Sequence, residues 1–368
     1  KSGLVSLSSK LLNEGTNELG ATKFAEKLEE NAISLAASNG FETFVIELSN
    51  LKEQSKKGIE LLTALLKSPN YTQDTLNKLK TMQTGSLKRK ENDFDYVANN
   101  QLKSVLFKGT TLENSAAGTI ESISKIELKD IENFISQTVC LENLIIVAGG
   151  DFELKEFEKL VKPLLETLNV GKKAQLEEVN FISKKEEKVL IKDTQQAYIY
   201  FGSSFNINSK DEENYKAKVA SFILGGSGFG SRLMEEIRVK RGLAYSAYGS
   251  ISINKSHSYF NGYLQTKNET ADEAKKLVGE IIEDFVKNGV TNDELSAAKN
   301  FLTGSEPLRS ETLSQRLNRA FTLYYRGLEP NYSQKELEKI QNLELTDLNN
   351  YIKSHNEINN LTFSIVRK

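Results

Sequence analysis

The run EEIRVKRGLAYSAYGS, Glu235 to Ser250, holds the residues best equipped for chemistry. Arg238 and Tyr245 stand seven positions apart in it. Arginine offers a planar, permanently charged fork and tyrosine a phenolic donor. Arg241 is the second choice of cation, four positions from Tyr245. Just upstream lies GGSGFGSR, Gly225 to Arg232, which contains no G-x-G-x-x-G in register and no G-K-[ST], so a nucleotide loop is excluded. Gly225, Gly226 and Ser227 are expected at a tight helix N-terminus, where exposed amides favour a carboxylate and missing side chains let another backbone come close.

Metal chemistry has little to work with. The chain has 2 His and 1 Cys. His257 and His355 are far apart in sequence, one on an expected strand and one near a helix end, and packing suits them better than ligation. Cys140 alone can form no intrachain disulfide.

Arginine is scarce. Of 48 basic residues 9 are Arg, and Arg89 is the one Arg before position 232. Lysine is the default cation, so arginine clusters at 232–241 and 309–326 suggest bidentate work. In the second cluster, Arg316 and Arg319 lie on a stretch with apolar residues at helical spacing, expected to face a core, and are minor site candidates.

The elements that must position these residues follow from length and repetition. A chain of 368 residues holds two domains, and 38% hydrophobic with 27% charged residues is a globular balance. The 48 basic against 50 acidic residues give a net charge of -2, which opposes a nucleic-acid footprint built on a basic surface, and no apolar run reaches membrane-spanning length. The segment Ile131–Phe152 matches Leu348–Lys368: each places an aromatic-Ile pair before an Asn-Leu that opens an apolar strand. Leu11–Ser38 corresponds to Phe222–Ser250, and both are followed by strands and a long amphipathic helix, Gly58–Ser68 and Glu273–Gly289. Two homologous α+β domains are expected, 1–178 and 179–368, each a mostly antiparallel sheet packed by helices. About 38 residues with two strand-like stretches, KVLIKD and QAYIYFGSSF, precede Gly226, whereas 14 precede the matching Gly15, so the first domain is expected to lack a strand pair.

With these residues in view, FILGGSGFGSRLMEEIRVKRGLAYSAYGS resembles the C-terminal-domain signature of the insulinase, pitrilysin and mitochondrial processing peptidase family of inverted-motif zinc peptidases. The similarity covers nearly the whole chain: Gly3–Thr16 falls where the family has its zinc helix, and Val105–Ile135 looks like the segment leading to the last strand of the first domain. Active members carry H-x-x-E-H on that helix, two His binding zinc and the Glu activating water, with a distant Glu completing the site. Here the aligned positions are Ser6, Ser9 and Lys10, and the distant Glu falls at Ser86 or Leu87. The resemblance implies no metal in this chain, and a substrate and oxyanion role for Arg238 and Tyr245, with Gly225, Gly226, Ser227 and Arg241 beside the substrate.

The expectation is a zinc-free subunit that works with a homologous H-x-x-E-H chain, which supplies zinc and general base while both hold an unfolded or short peptide. The alternative is a peptidase-derived scaffold without a proteolytic role; the Arg and Tyr kept at family spacing speak against it. An exported, periplasm-like location is expected over a cytoplasmic one.

Overall fold

Apolar and polar residues alternate in QAYIYFGSS, so a strand there must show two different faces. In the structure, a computed structural model that describes residues 1–368, this segment is a central strand. The chain forms two compact units, one of residues 1–90 and 114–176, the other of 91–113 and 177–368. Residues 91–113, grouped by sequence with the N-terminal half, thus pack with the second unit.

In the first unit, helices α1 (Leu4–Leu12), α2 (Gly20–Glu30), α3 (Ser55–Lys67) and α4 (Gln73–Lys90) accompany an antiparallel pair, β1 (Ser34–Asn39) and β2 (Phe44–Ser49). Leu7 and Leu11 of α1, one turn apart, pack with Leu76, Leu79 and Leu87 of α4 and with Ile123, Ile126 and Ile131. A second cluster joins Leu12, Phe24, Leu61 and Leu65. The expected strand Asn143–Gly149 does not form. Its residues follow a short turn at Leu141–Asn143, no strand pairs with them, and Leu144 and Ile146 stay exposed. A strand is stabilised by cross-strand partners, which this segment does not have.

The second unit contains α5 (Phe94–Leu106) and the strands β3 (Glu187–Ile191), β4 (Gln196–Ser204), β5 (Ala244–Ile253), β6 (Ser258–Lys267) and β7 (Thr362–Arg367). They form one sheet in the order β3-β7-β4-β6-β5, antiparallel except for β3 beside β7. One face puts Ala197, Ile199, Phe201, Phe260, Leu264 and Ile365 into a core with the helix Ala271–Asn288, which contributes Leu277, Val278, Ile281 and Phe285 at helical spacing. The other face meets α5: Tyr198 packs on Phe94, Tyr200 donates to Asp95, and the Ser364 hydroxyl donates to Gln101. The sheet therefore buries one apolar face and leaves a polar-aromatic face half-covered by α5.

Candidate functional site

Building the site starts with two helical turns that widen. The helix Asn214–Ser221 continues to Gly226 through a wide turn in which the Ser227 N–H donates to the Phe222 carbonyl. A second wide turn spans Glu235–Val239, where the Lys240 N–H donates to the Glu235 carbonyl. Such five-residue steps are uncommon and recur at functional sites. Between them a loop with left-handed Gly228 and Gly230 carries Phe229, and Ser231 caps the next helical turn by accepting from the Met234 N–H.

Gly225 and Gly226 therefore end one helix rather than begin another, which corrects the expected helix N-terminus. The reason is close packing: a Cβ on Gly225 would lie 2.5 Å from the Gly249 nitrogen of β5. Ser227 sits on the following turn with its hydroxyl buried and without a hydrogen-bond partner.

Arg238 leaves the second wide turn with its Cζ 4.5 Å from the Tyr245 ring centroid and 4.6 Å from that of Phe229. Arg238 thus makes a cation–π contact with each of two aromatic rings. Tyr245 is 82% exposed and Phe229 is 69% exposed. The Arg238 guanidinium makes no hydrogen bond or ion pair within the chain, so its N–H donors remain available. Arg241 is different: its guanidinium donates to the Glu236 carbonyl and, at 2.6 Å, to the Glu236 carboxylate. Hydrogen bonds from Lys240 and Arg241 hold the Glu236 carboxyl below its ordinary range. Phe229 is the residue that sequence reasoning missed; an aromatic side chain isolated between glycines was the available signal.

Arg232 anchors the same segment from below. It reaches Glu294 at 2.5 Å and the Gly289 carbonyl at 2.7 Å. Burial pushes the Glu294 carboxyl up, but hydrogen bonds from Arg232 and Thr291 outweigh it and keep the group below its ordinary range. Arg319 is engaged by Glu306 at 2.6 Å, and Arg316 is exposed. Their helix, Leu313–Arg326, buries Leu323 alone, so it does not face a core as the sequence suggested. Instead, Phe321 and Tyr325 stack on each other at 5.6 Å.

In the first unit, α1 carries Ser6 and Ser9, both buried, and Lys10. The Ser9 hydroxyl donates to the Ser6 carbonyl. Lys10 donates to the Gln83 side-chain oxygen, and the Gln83 amide donates to the Ala117 carbonyl at 2.9 Å. The residue that α4 brings to the degenerate motif is thus Gln83, not Ser86 or Leu87, and Leu87 goes to the core. Desolvation, then the charge of Lys90, lowers the Lys10 pKa. Two hydroxyls, an ammonium and a carboxamide do not fit zinc, which takes imidazole, thiolate or carboxylate donors.

The histidines sit elsewhere. His257 is buried, bonded to the Ser256 hydroxyl at 2.9 Å and packed edge-on against Phe107. His355 stacks on Phe205 at 4.4 Å and contacts Glu357 at 2.9 Å. Cys140 is buried.

Residues 125–302 match the family model described as the peptidase M16 inactive domain. The chain is 46% identical over 364 residues to the non-peptidase homolog YmxG of Helicobacter pylori, covering 99% of this chain and 84% of that protein. The chain belongs to the peptidase M16 family. The uncharacterized zinc protease YmxG of Bacillus subtilis is 22% identical over 306 residues, covering 83% of this chain and 74% of that protein. Among solved structures, a peptidase M16 inactive domain from Pseudomonas fluorescens superposes with a TM-score of 0.91 at 21% identity, covering 100% of this chain and 89% of its own. A protease from Helicobacter pylori superposes at 0.88 and 18% identity, with the same coverage. The M16 architecture agrees with the α+β fold described above. No helix of the chain is long and apolar enough to cross a membrane.

Proposed function

We propose that this M16 chain is the zinc-free subunit of a two-subunit zinc peptidase, binding extended peptide and assisting its hydrolysis with Arg238 and Tyr245. The observation that carries the reading is the contrast between two places. At the zinc-motif positions, Ser6, Ser9, Lys10 and Gln83 bond to one another or to backbone and offer no fitting ligand set. At Arg238, a guanidinium in contact with the Phe229 and Tyr245 rings keeps its donors free beside an exposed phenol. A scaffold without substrate gains nothing from an exposed aromatic pair around an unpaired cation. The name of the Helicobacter pylori relative, a non-peptidase homolog, supports inactivity of this chain alone.

In this reading, the partner is a homologous H-x-x-E-H chain that supplies zinc and the general base. Arg238 and Tyr245 donate to a substrate carbonyl, more strongly as its oxygen gains charge. Of the glycine turn, Gly226 is exposed and lies on the approach, while Gly225 packs against β5 and supports the turn from within. Recognition through the substrate's backbone selects extended peptides more than a side-chain code.

Co-expression with the H-x-x-E-H chain tests this. The expected result is a co-purifying pair that cleaves a quenched peptide which neither chain cleaves alone. An H-x-x-E-H chain that works equally well without this one would overturn the proposal.

A further inference from the structure

Between α5 and the sheet of the second unit lies a cavity of about 230 Å³. Its floor is a row of three tyrosines. Tyr200 of β4, Tyr263 of β6 and Tyr248 of β5 occupy directly opposed register positions, and their rings follow one another at 5.5 Å and 5.8 Å. The strand period of two forces this: all three sit on the face opposite the apolar core. Its roof comes from α5, where Asn99 and Lys103 stand one helical turn apart. Asn261 adds an amide from β6, one N–H of which already donates to the Ser252 hydroxyl at 3.1 Å.

The charge in this cavity is not balanced. The Lys103 ammonium makes no hydrogen bond or ion pair within the chain, and no aspartate or glutamate lines the space. Burial pushes the Lys103 ammonium below the ordinary lysine range. The Tyr200 hydroxyl is already spent on Asp95, at 3.1 Å, so its ring and not its oxygen is the surface on offer. A cationic ligand would find the aromatic faces attractive but would meet Lys103. A neutral aromatic one would leave the ammonium desolvated and unpaired. An aromatic ring joined to a carboxylate satisfies both features, the ring stacking on the tyrosine row and the carboxylate pairing with Lys103 and the amides.

We propose that this tyrosine-floored cavity is a binding site for an aromatic carboxylate, with Lys103 as the anchor for the anion. Two sources share that chemistry: a free aromatic acid, and a peptide ending in an aromatic residue with its terminal carboxylate. The site shares no residue with Arg238 and Tyr245, so it stands or fails independently of their role.

The test is titration of the whole chain with phenylacetate and with Ac-Ala-Ala-Phe bearing a free carboxylate, each against its neutral amide, followed by calorimetry and ligand-observed NMR. The expected result is saturable, one-to-one binding of at least one acid, with its amide roughly tenfold weaker because a charge-assisted bond is lost. The acid that binds more tightly identifies the source. Lys103→Met should remove the preference for acid over amide while circular dichroism and thermal midpoint are kept. Tyr248→Ala, at a partly exposed position, should weaken both forms together. Equal binding of acid and amide, failure of both acids to saturate at millimolar concentration, or undiminished acid binding by folded Lys103→Met would overturn the proposal.

Discussion

The guanidinium carbon of Arg238 lies 4.5 Å from the centre of the Tyr245 ring and 4.6 Å from that of Phe229. A cation in contact with two aromatic rings is restrained while its N–H donors stay open, and such donors are what a peptide carbonyl needs. Phe229 is therefore a positioning residue for Arg238. Phe229→Ala in the reconstituted pair should lower kcat/KM about twofold to fivefold, matching roughly 0.5–1 kcal/mol for an exposed cation–π contact. Steady-state kinetics should show this chiefly in kcat, through the displaced Arg238 donors. Unaltered kcat/KM would remove Phe229 from the site.

Gly225 should tolerate no side chain. Its Cβ would meet the Gly249 nitrogen at 2.5 Å and oxygen at 2.7 Å, both backbone atoms that cannot swing aside. Gly225→Ala should cost about 1–3 kcal/mol, as overpacking of a core does. Urea denaturation measures the loss.

The Arg232–Glu294 pair gives stability with a defined pH dependence. Arg232→Met should cost about 2 kcal/mol near neutrality, since it removes charge-assisted bonds to Glu294 and the Gly289 carbonyl. The Glu294 carboxyl is held below its ordinary range in the folded chain, so its contribution is complete above the unfolded value of about 4.3 and is lost as pH falls through the lower folded value. Denaturant midpoints of wild type and variant should converge on acidification. A gap that stays constant into the acid range would contradict this origin.

The degenerate zinc position should behave as a structural hydrogen-bond network. Gln83→Leu leaves the Ala117 carbonyl and Lys10 without their partner, at a cost of about 1–3 kcal/mol. EDTA should leave the thermal midpoint of the isolated chain unchanged. A midpoint that drops with chelator and recovers with zinc would show a metal site that these residues do not explain.

Much of the second unit was readable from sequence because its strands alternate cleanly and one face must be buried: QAYIYFGSS announces β4, and the helix of residues 271–288 follows from Leu277, Ile281 and Phe285. The placement of α5 was not, since its contacts with β4 and β7 join residues over a hundred positions apart and leave no local pattern. Asn143–Gly149 has strand composition, yet composition cannot create the partner a strand needs. The distant zinc-motif position was expected at Ser86 or Leu87 by spacing, but helical phase puts Leu87 in the core and turns Gln83 toward Lys10. Arg238 and Tyr245 stood out through the family-like run that contains them, while Phe229, an aromatic between glycines, gains its meaning only from its contact with Arg238 in the folded chain.

The most direct test of the account is the turnover number of the reconstituted pair, comparing wild type with Arg238→Ala, Tyr245→Phe and the double variant. Loss of one oxyanion donor should lower kcat about 100-fold, and the double variant should fall by less than the product of the single losses because the two groups act on one carbonyl. A double variant that assembles with the partner and turns over peptide at the wild-type rate would contradict the role assigned to this chain.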